Sequence, residues 1–189
     1  IDQYKALKFP NGWGLKVYPE MSMVDRVNTA FKDNPNEEWY GNIDDDSIPT
    51  TKGWDRRLVE AAGNNKVAHC FNGISNEKLV CQHVTGGELA RKIGWLLLPT
   101  TKRIYGDNAY TDIAKKLGEV VYLPDVRLEQ YHFSNGKAPF DKTYEKPSAA
   151  EDRKAYIKWY WENIQVDRKP IGDELIICCV MNNNYAGCG

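Results

Sequence analysis

Tyr40-Gly41-Asn42-Ile43-Asp44-Asp45-Asp46-Ser47-Ile48-Pro49-Thr50-Thr51-Lys52-Gly53-Trp54-Asp55 is the stretch on which the reading of this chain turns. Trp39 to Ile43 reads as a short strand that runs straight into three aspartates, and a helix follows from Trp54 to Ala62, ended by Gly63-Asn64. The carboxylates are therefore expected at a strand's carboxyl end, where open α/β sheets bind ligands. Three neighbouring carboxylates concentrate like charge, which a cation or bulk solvent must neutralise. Hard carboxylate oxygens suit Mg²⁺ or Mn²⁺. Residues one and three of an extended segment point to one side, so Asp44 and Asp46 are expected to converge while Asp45 faces away. The competing reading is a solvated acidic turn in which Asp46 or Ser47 caps something local.

The flanking sequence alternates strand and helix signals. Upstream, Leu15 to Tyr18 reads as a strand, followed after Pro19 by a helix opened by Ser22 with Asp25 three residues on; Val24, Val27 and Phe31 share its face and Asn34-Pro35 stop it. Downstream, Lys66 to Phe71 and Leu79 to Val84 read as strands around the turn Asn72 to Asn76. Thr85-Gly86-Gly87-Glu88 opens a helix reaching Ile93-Gly94, and Trp95 to Leu98 reads as a strand closed by Pro99. Asp107 begins a helix with Tyr110, Ile113, Ala114 and Leu117 inward and Gly118 as its stop, and Val120 to Leu123 is a buried strand. Ser148 with Glu151 caps a last helix whose Tyr156, Trp159 and Tyr160 pack inward. Arg168 to Asp173 is a polar linker before a final strand, Leu175 to Met181, that ends in Asn182-Asn183-Asn184.

With 189 residues, 42% hydrophobic and 12% aromatic, the chain can bury one sizeable core and fits one α/β domain or slightly more. Its 25 basic and 26 acidic residues leave a formal charge of -1, so no global field draws it to nucleic acid or to an anionic membrane. No apolar run approaches the ~20 residues that span a bilayer, and the chain is expected to be soluble and cytoplasmic. Cys70, Cys81, Cys178, Cys179 and Cys188 form an odd set without C-x-x-C spacing, which argues against a zinc cluster and a full disulfide framework. Cys70 and Cys81 read as small buried hydrophobes in a reducing compartment, with a pairing across a hairpin as the alternative. A start at Ile1-Asp2 and an end at Gly187-Cys188-Gly189 suggest a fragment or trimmed chain.

The stretch from Tyr40 to Asp55 resembles the Asp-x-Asp segment of GT-A glycosyltransferases, in which the acidic motif is followed by a Pro, a short loop and a helix starting near a Trp. Further matches follow in the family's order. Gly86-Gly87-Glu88-Leu89 with Gly94-Trp95 and Pro99 resembles the acceptor-side helix and strand, and Ile104-Tyr105-Gly106-Asp107-Asn108 the segment holding the catalytic carboxylate in inverting, family 2-like members. Tyr122-Leu123-Pro124-Asp125, His132, Gly136-Lys137 and Asp141 to Tyr144 resemble the ending that returns a histidine to the metal. The resemblance covers roughly residues 18–144. It implies a GT-A-like, Rossmann-like mixed sheet flanked by helices, divided into a metal- and acceptor-binding region over 1–147, a helix and linker over 148–170, and a terminal strand and Asn-rich loop over 171–189. The family's first βαβ unit, which binds the nucleotide base, has no counterpart before Tyr18; Leu175 to Gly189 resembles the start of such a unit at the other end.

The activity implied is divalent-metal-dependent transfer of a sugar, with inversion, from a UDP- or GDP-linked donor to a hydroxyl on a glycan, a protein or a modified nucleic acid. Asp44 and Asp46 with His132 would hold Mn²⁺ or Mg²⁺, Asp44, Asp45 and Trp54 would contact the nucleotide-sugar, and Asp107 would act as base. For Asp107 the residues themselves also allow a plain helix cap. His69 and His83 read as core or edge residues. Trp54, Trp95, Tyr105 and Tyr110 are candidates to stack on sugar rings, and Lys52, Arg56, Arg57, Lys102 and Arg103 to meet phosphate. Two other readings remain: a nucleotidyltransferase, although no Gly-rich basic phosphate loop is visible, and a non-catalytic sugar- or protein-binding module.

Overall fold

The computed structural model describes residue 8, residues 14–140 and residues 149–165. Within them a five-stranded mixed sheet is flanked by helices on both faces. In chain order the elements are α1 (Met23–Asp33), β1 (Trp39–Asn42), β2 (Ser47–Pro49), α2 (Trp54–Ala62), β3 (Val67–Phe71), β4 (His83–Gly86), α3 (Gly87–Ile93), α4 (Gly106–Leu117), β5 (Val120–Gln130) and α5 (Ala149–Asn163). The spatial order is β1-β4-β3-β5-β2. β3 and β5 run parallel, β4 is antiparallel to both β1 and β3, and β2 is antiparallel to β5. β1, β3 and β5 therefore share one direction, and their carboxyl ends lie on one side.

The alternation of side chains along β3 divides the core in two. Val67 joins Phe31, Tyr40, Leu89, Leu96 and Tyr110 on one face, while Ala68 and Cys70 join Leu58, Ala62, Val84, Val126 and Leu128 on the other. Both faces are covered, so a strand this short is buried through its first four residues. Each fully buried Leu or Val adds roughly 1.5–3 kcal/mol relative to exposure.

Local signals fix most helix ends. Ser22 accepts from the Asp25 N–H at 3.0 Å and its hydroxyl donates to the Asp25 carboxylate at 2.7 Å, which closes the expected cap of α1. Gly63, Gly94 and Gly118 stop α2, α3 and α4 as expected, the last two in the left-handed conformation. At the junction of β4 and α3 a Cβ on Gly86 would stand 2.2 Å from the Asn64 carbonyl carbon, so only glycine lets the strand turn there.

Three expected strands differ. Leu15 to Tyr18 forms no strand; Leu15 and Val17 are exposed. The strand expected over Leu79 to Val84 starts only at His83, because the Val80 N–H is taken by the Thr111 hydroxyl at 2.9 Å, Cys81 lines a cavity and the Gln82 side chain is engaged by Asp44 and Ser47. Trp95 to Leu98 is not a strand, although Leu96, Leu97 and Leu98 are buried. The buried Asn28 side chain takes the place of a neighbouring strand, accepting from the Leu96 and Leu97 N–H groups at 3.0 and 3.1 Å and donating to the Leu97 carbonyl at 2.7 Å. Conversely, the strand expected over Val120 to Leu123 continues to Gln130, with a register shift after Leu123 that curls the sheet and lets its far end pair with β2. α5 lies against the same body, with Trp159 edge-on to Trp95 and Tyr156 stacked on Tyr105. Ser148 and the segment 171–189 lie outside the described residues.

Candidate active site

The carboxyl ends of β1, β3 and β5 open onto a cavity of about 620 Å³ lined by Asp44, Asp45, Asp46, Asp107, Gln130 and His132, together with Ser75, Cys81, Arg103 and Tyr105. Five of the six residues singled out from the sequence, Asp44, Asp45, Asp46, Asp107 and His132, thus line one cavity, from three separate segments. The sixth, Trp54, stands apart: it begins α2 and packs beside Leu58 and Ala62 on the other core cluster. Of the other aromatics, Tyr105 lines the cavity, whereas Trp95 and Tyr110 belong to the core. Of the basic candidates, Arg103 lines it, Arg57 pairs with the exposed Asp125, and Lys102 pairs with Glu151.

The three aspartates do not alternate along an extended strand as expected: residues 44–47 turn, with the Ser47 N–H donating to the Asp44 carbonyl at 3.1 Å, and Asp45 lines the same cavity as Asp44 and Asp46. Asp44 and Asp46 are half-buried and Asp45 is exposed. The Gln130 amide donates to Asp44 at 3.2 Å and to Asp46 at 3.4 Å, so one side chain draws the two carboxylates together. Gln82, itself buried, donates to Asp44 at 2.8 Å and to the Ser47 hydroxyl at 3.1 Å. These two neutral amides are weak compensation for the charge they face. Burial, with Asp46, Asp107 and Asp45 adding like charge, raises the Asp44 carboxyl to about 6. The Asp46 Oδ1 atom and the Gln82 Oε1 atom are buried without a hydrogen-bond partner.

Asp107 is not the cap of α4. The helix starts one residue earlier, at Gly106, behind Tyr105, whose φ of 65° is left-handed and uncommon for a non-glycine residue. Asp107 lies in the first helical turn, accepting from the Asn108 N–H at 2.9 Å and from the Cys81 thiol at 3.4 Å. His132 follows β5; its Nδ1 accepts from the Ser134 N–H at 3.2 Å and lies 2.8 Å from the Ser134 hydroxyl. His69 and His83 are buried in the sheet, as expected.

The loop that presents Arg103, Ile104 and Tyr105 is held from behind. Asp152 on α5 is buried, and its carboxylate accepts the N–H groups of Lys102, Arg103 and Ile104 at 2.9, 2.9 and 3.0 Å. Gln82, Gln130 and Asp152 were not singled out from the sequence, because each acts through a partner tens of residues away.

No protein-family model, curated protein or solved structure matches this chain. The reading therefore rests on the geometry. Two converging carboxylates with an orphaned buried oxygen fit a hard divalent cation that takes one or two protein carboxylates and fills its other positions with water and substrate phosphate. Among the described residues no three His, Cys, Asp or Glu side chains are grouped so that they could hold a metal ion, so His132 does not join Asp44 and Asp46 in one ligand set. Among the described residues no helix is long and apolar enough to cross a membrane.

Proposed function

We propose that this chain is a GT-A-like, divalent-metal-dependent glycosyltransferase that moves a sugar from a nucleotide-diphosphate donor to a hydroxyl acceptor with inversion. The single observation that carries the reading is the convergence of Asp44, Asp46, Asp107 and His132 on one open cavity at the carboxyl ends of the parallel strands. The cavity's volume lies in the range of small-molecule sites.

Asp44 and Asp46 hold the Mn²⁺ or Mg²⁺ ion, with His132 and the exposed Asp45 on the same wall. When bound, the ion supplies the positive charge that neutralises a diphosphate leaving group. Gln82 and Gln130 orient the two carboxylates in advance, which lowers the cost of arranging them around a ligand. Asp107, on a different element from the acidic corner, takes the proton of the attacking hydroxyl while the diphosphate leaves from the opposite face. The Cys81 thiol, which lines the same cavity, donates to the Asp107 carboxylate at 3.4 Å and helps fix its orientation. Arg103 adds a cation to an otherwise acidic wall, where a phosphate oxygen can meet it. Free Cys70 and Cys81 fit a reducing, cytoplasmic setting.

The test is a thermal-shift series with Mn²⁺ alone and with UDP-, GDP-, CDP- and TDP-sugars. A ligand at one hundred times its Kd raises stability by about 2.7 kcal/mol. The wild-type chain is expected to be stabilised by Mn²⁺ and further by one nucleotide class, and Asp46→Asn to lose both responses along with sugar transfer. Equal responses in Asp46→Asn and wild type would remove the metal assignment.

A further inference from the structure

A second cavity, a groove of about 330 Å³, opens between α1 and β1. Its apolar surface comes from Val27 and Phe31 on α1, Trp39 and Tyr40 on β1, and Leu96. Gly41 lines it too and leaves that stretch of the wall without a side chain. The groove adjoins the acidic cavity. Asn42 lines both, and on α1 Met23 lines the acidic cavity while Val27, one helical turn or about 6 Å further on, lines the groove.

Apolar walls with a few polar groups are the pattern of a small-molecule site, and the volume lies at the lower end of that class. The polar groups here are Asn34 and Glu37, both exposed at the rim. The Asn34 amide nitrogen donates to the Ala30 carbonyl at 2.8 Å, so the rim turns chiefly acceptors outward: the Asn34 Oδ1 atom and the Glu37 carboxylate. The turn that carries them is held in place. The Tyr40 hydroxyl donates to the Asn34 carbonyl at 2.5 Å and accepts from the Glu37 N–H at 3.3 Å, and the Arg91 guanidinium donates to the Glu37 carbonyl at 3.1 Å.

We propose that the groove takes the guanine base of a GDP-linked donor and that Glu37 reads it, with Asn42 at the ribose and the diphosphate at Asp44 and Asp46; this rests on the nucleotide-sugar reading of the acidic cavity. Guanine alone among the common bases sets two donors side by side on one edge, its N1–H and its 2-amino group, and one carboxylate accepts both together. Uracil sets a single N–H between two carbonyl oxygens, and cytosine and adenine each set an amino group beside a ring-nitrogen acceptor. A carboxylate facing any of these three meets at least one lone pair. The apolar surface of Val27, Phe31 and Tyr40 serves every base alike, so the rim sets the choice.

The experiment titrates the full, nitrogen-15-labelled chain with GMP, UMP, CMP and AMP in EDTA, and with GDP and UDP in the presence of Mn²⁺. GMP is expected to shift the amides of Glu37, Gly41 and Asn42 and the Trp39 indole N–H, and to bind about ten-fold more tightly than the other three monophosphates. Glu37→Gln, at an exposed position, should weaken GMP and GDP by about ten-fold while the response to UMP and to Mn²⁺ alone stays as in wild type. The proposal is overturned if GMP shifts no groove amide, if the four monophosphates bind alike, or if Glu37→Gln keeps the guanine preference. Because the monophosphate arm contains no metal, the two readings fail separately. Groove shifts with GMP but no response to Mn²⁺ would keep the base subsite and remove the metal site; a Mn²⁺ response without groove shifts would do the reverse.

Discussion

Asp152 and the Asp44–Asp46 pair are both carboxylates removed from bulk water, yet the protein treats them in opposite ways. Asp152 is satisfied: three backbone N–H groups of one loop converge on it. At the acidic corner the partners are two side-chain amides shared between two carboxylates, and one Asp46 oxygen has no partner. A carboxylate that the fold saturates is a structural anchor; a carboxylate that the fold gathers and leaves short carries an electrostatic cost, which the proposed metal ion would relieve.

The sharpest test of the first half is Asp152→Ala. It leaves three N–H groups without their acceptor, and hydrogen bonds to a charged group are worth about 1.5–3 kcal/mol each before relaxation and water recover part of the loss. We expect a cost of about 3 kcal/mol, read as a fall of roughly 6–12 °C in the melting temperature. The loop of Arg103 and Tyr105 should loosen with it, so nucleotide response should weaken as well. A shift of less than about one degree would show that the loop is held by other contacts, Tyr105 on Tyr156 foremost.

Much of this molecule could be read without coordinates, and the limits of that reading are physical. The Ser22 cap and the glycine stops are local: each is written within a few residues, where backbone geometry leaves little choice. The strand expected at Trp95 to Leu98 failed because Asn28, 68 and 69 residues away along the chain, satisfies the backbone there. A polar residue on the buried side of a helix gives no sign of which backbone it will serve. Gln82 and Gln130 were missed for the same reason, since a glutamine has no spacing rule that marks it as a carboxylate's partner. Trp54 failed differently: helix α2 turns its first residue to the core, so a position next to the acidic motif in sequence is not next to it in space.

Acidification separates the two kinds of burial further. Burial lowers the imidazoles of His83 and His69 from about 6.5 to about 4, with the Lys115 charge adding to the shift of His69. Their folded values lie below the unfolded one, so their contribution is complete above pH 6.5 and is lost as pH falls toward 4. His83 alone should cost about 2 kcal/mol between pH 7.5 and 5. Asp44 has the opposite sign: its folded value of about 6 lies above the unfolded one, so protonation favours the fold as pH falls through 6. Two groups against one predict a net loss, measurable as a lower urea midpoint at pH 5. Asp44→Asn should make that loss steeper by removing the opposing group, and stability that is flat or rising on acidification would contradict the assignment.

At pH 8 without metal the two regions should respond to the same substitution with opposite signs. Asp152→Asn destabilises, because an amide accepts less strongly and brings two donors into a ring of donors. Asp44→Asn removes a charge that burial, Asp46, Asp107 and Asp45 all oppose, while its carbonyl can still accept from Gln82. After discounting for relaxation around the new side chain, the gain should be about 1 kcal/mol, a few degrees in the melting temperature at most. Adding Mn²⁺ should reverse the ranking, since wild type gains the ion and the variant does not. A variant less stable than wild type in EDTA would mean that the acidic corner is a hydrogen-bonded structural feature like Asp152, and the distinction between satisfied and waiting carboxylates would fall with it.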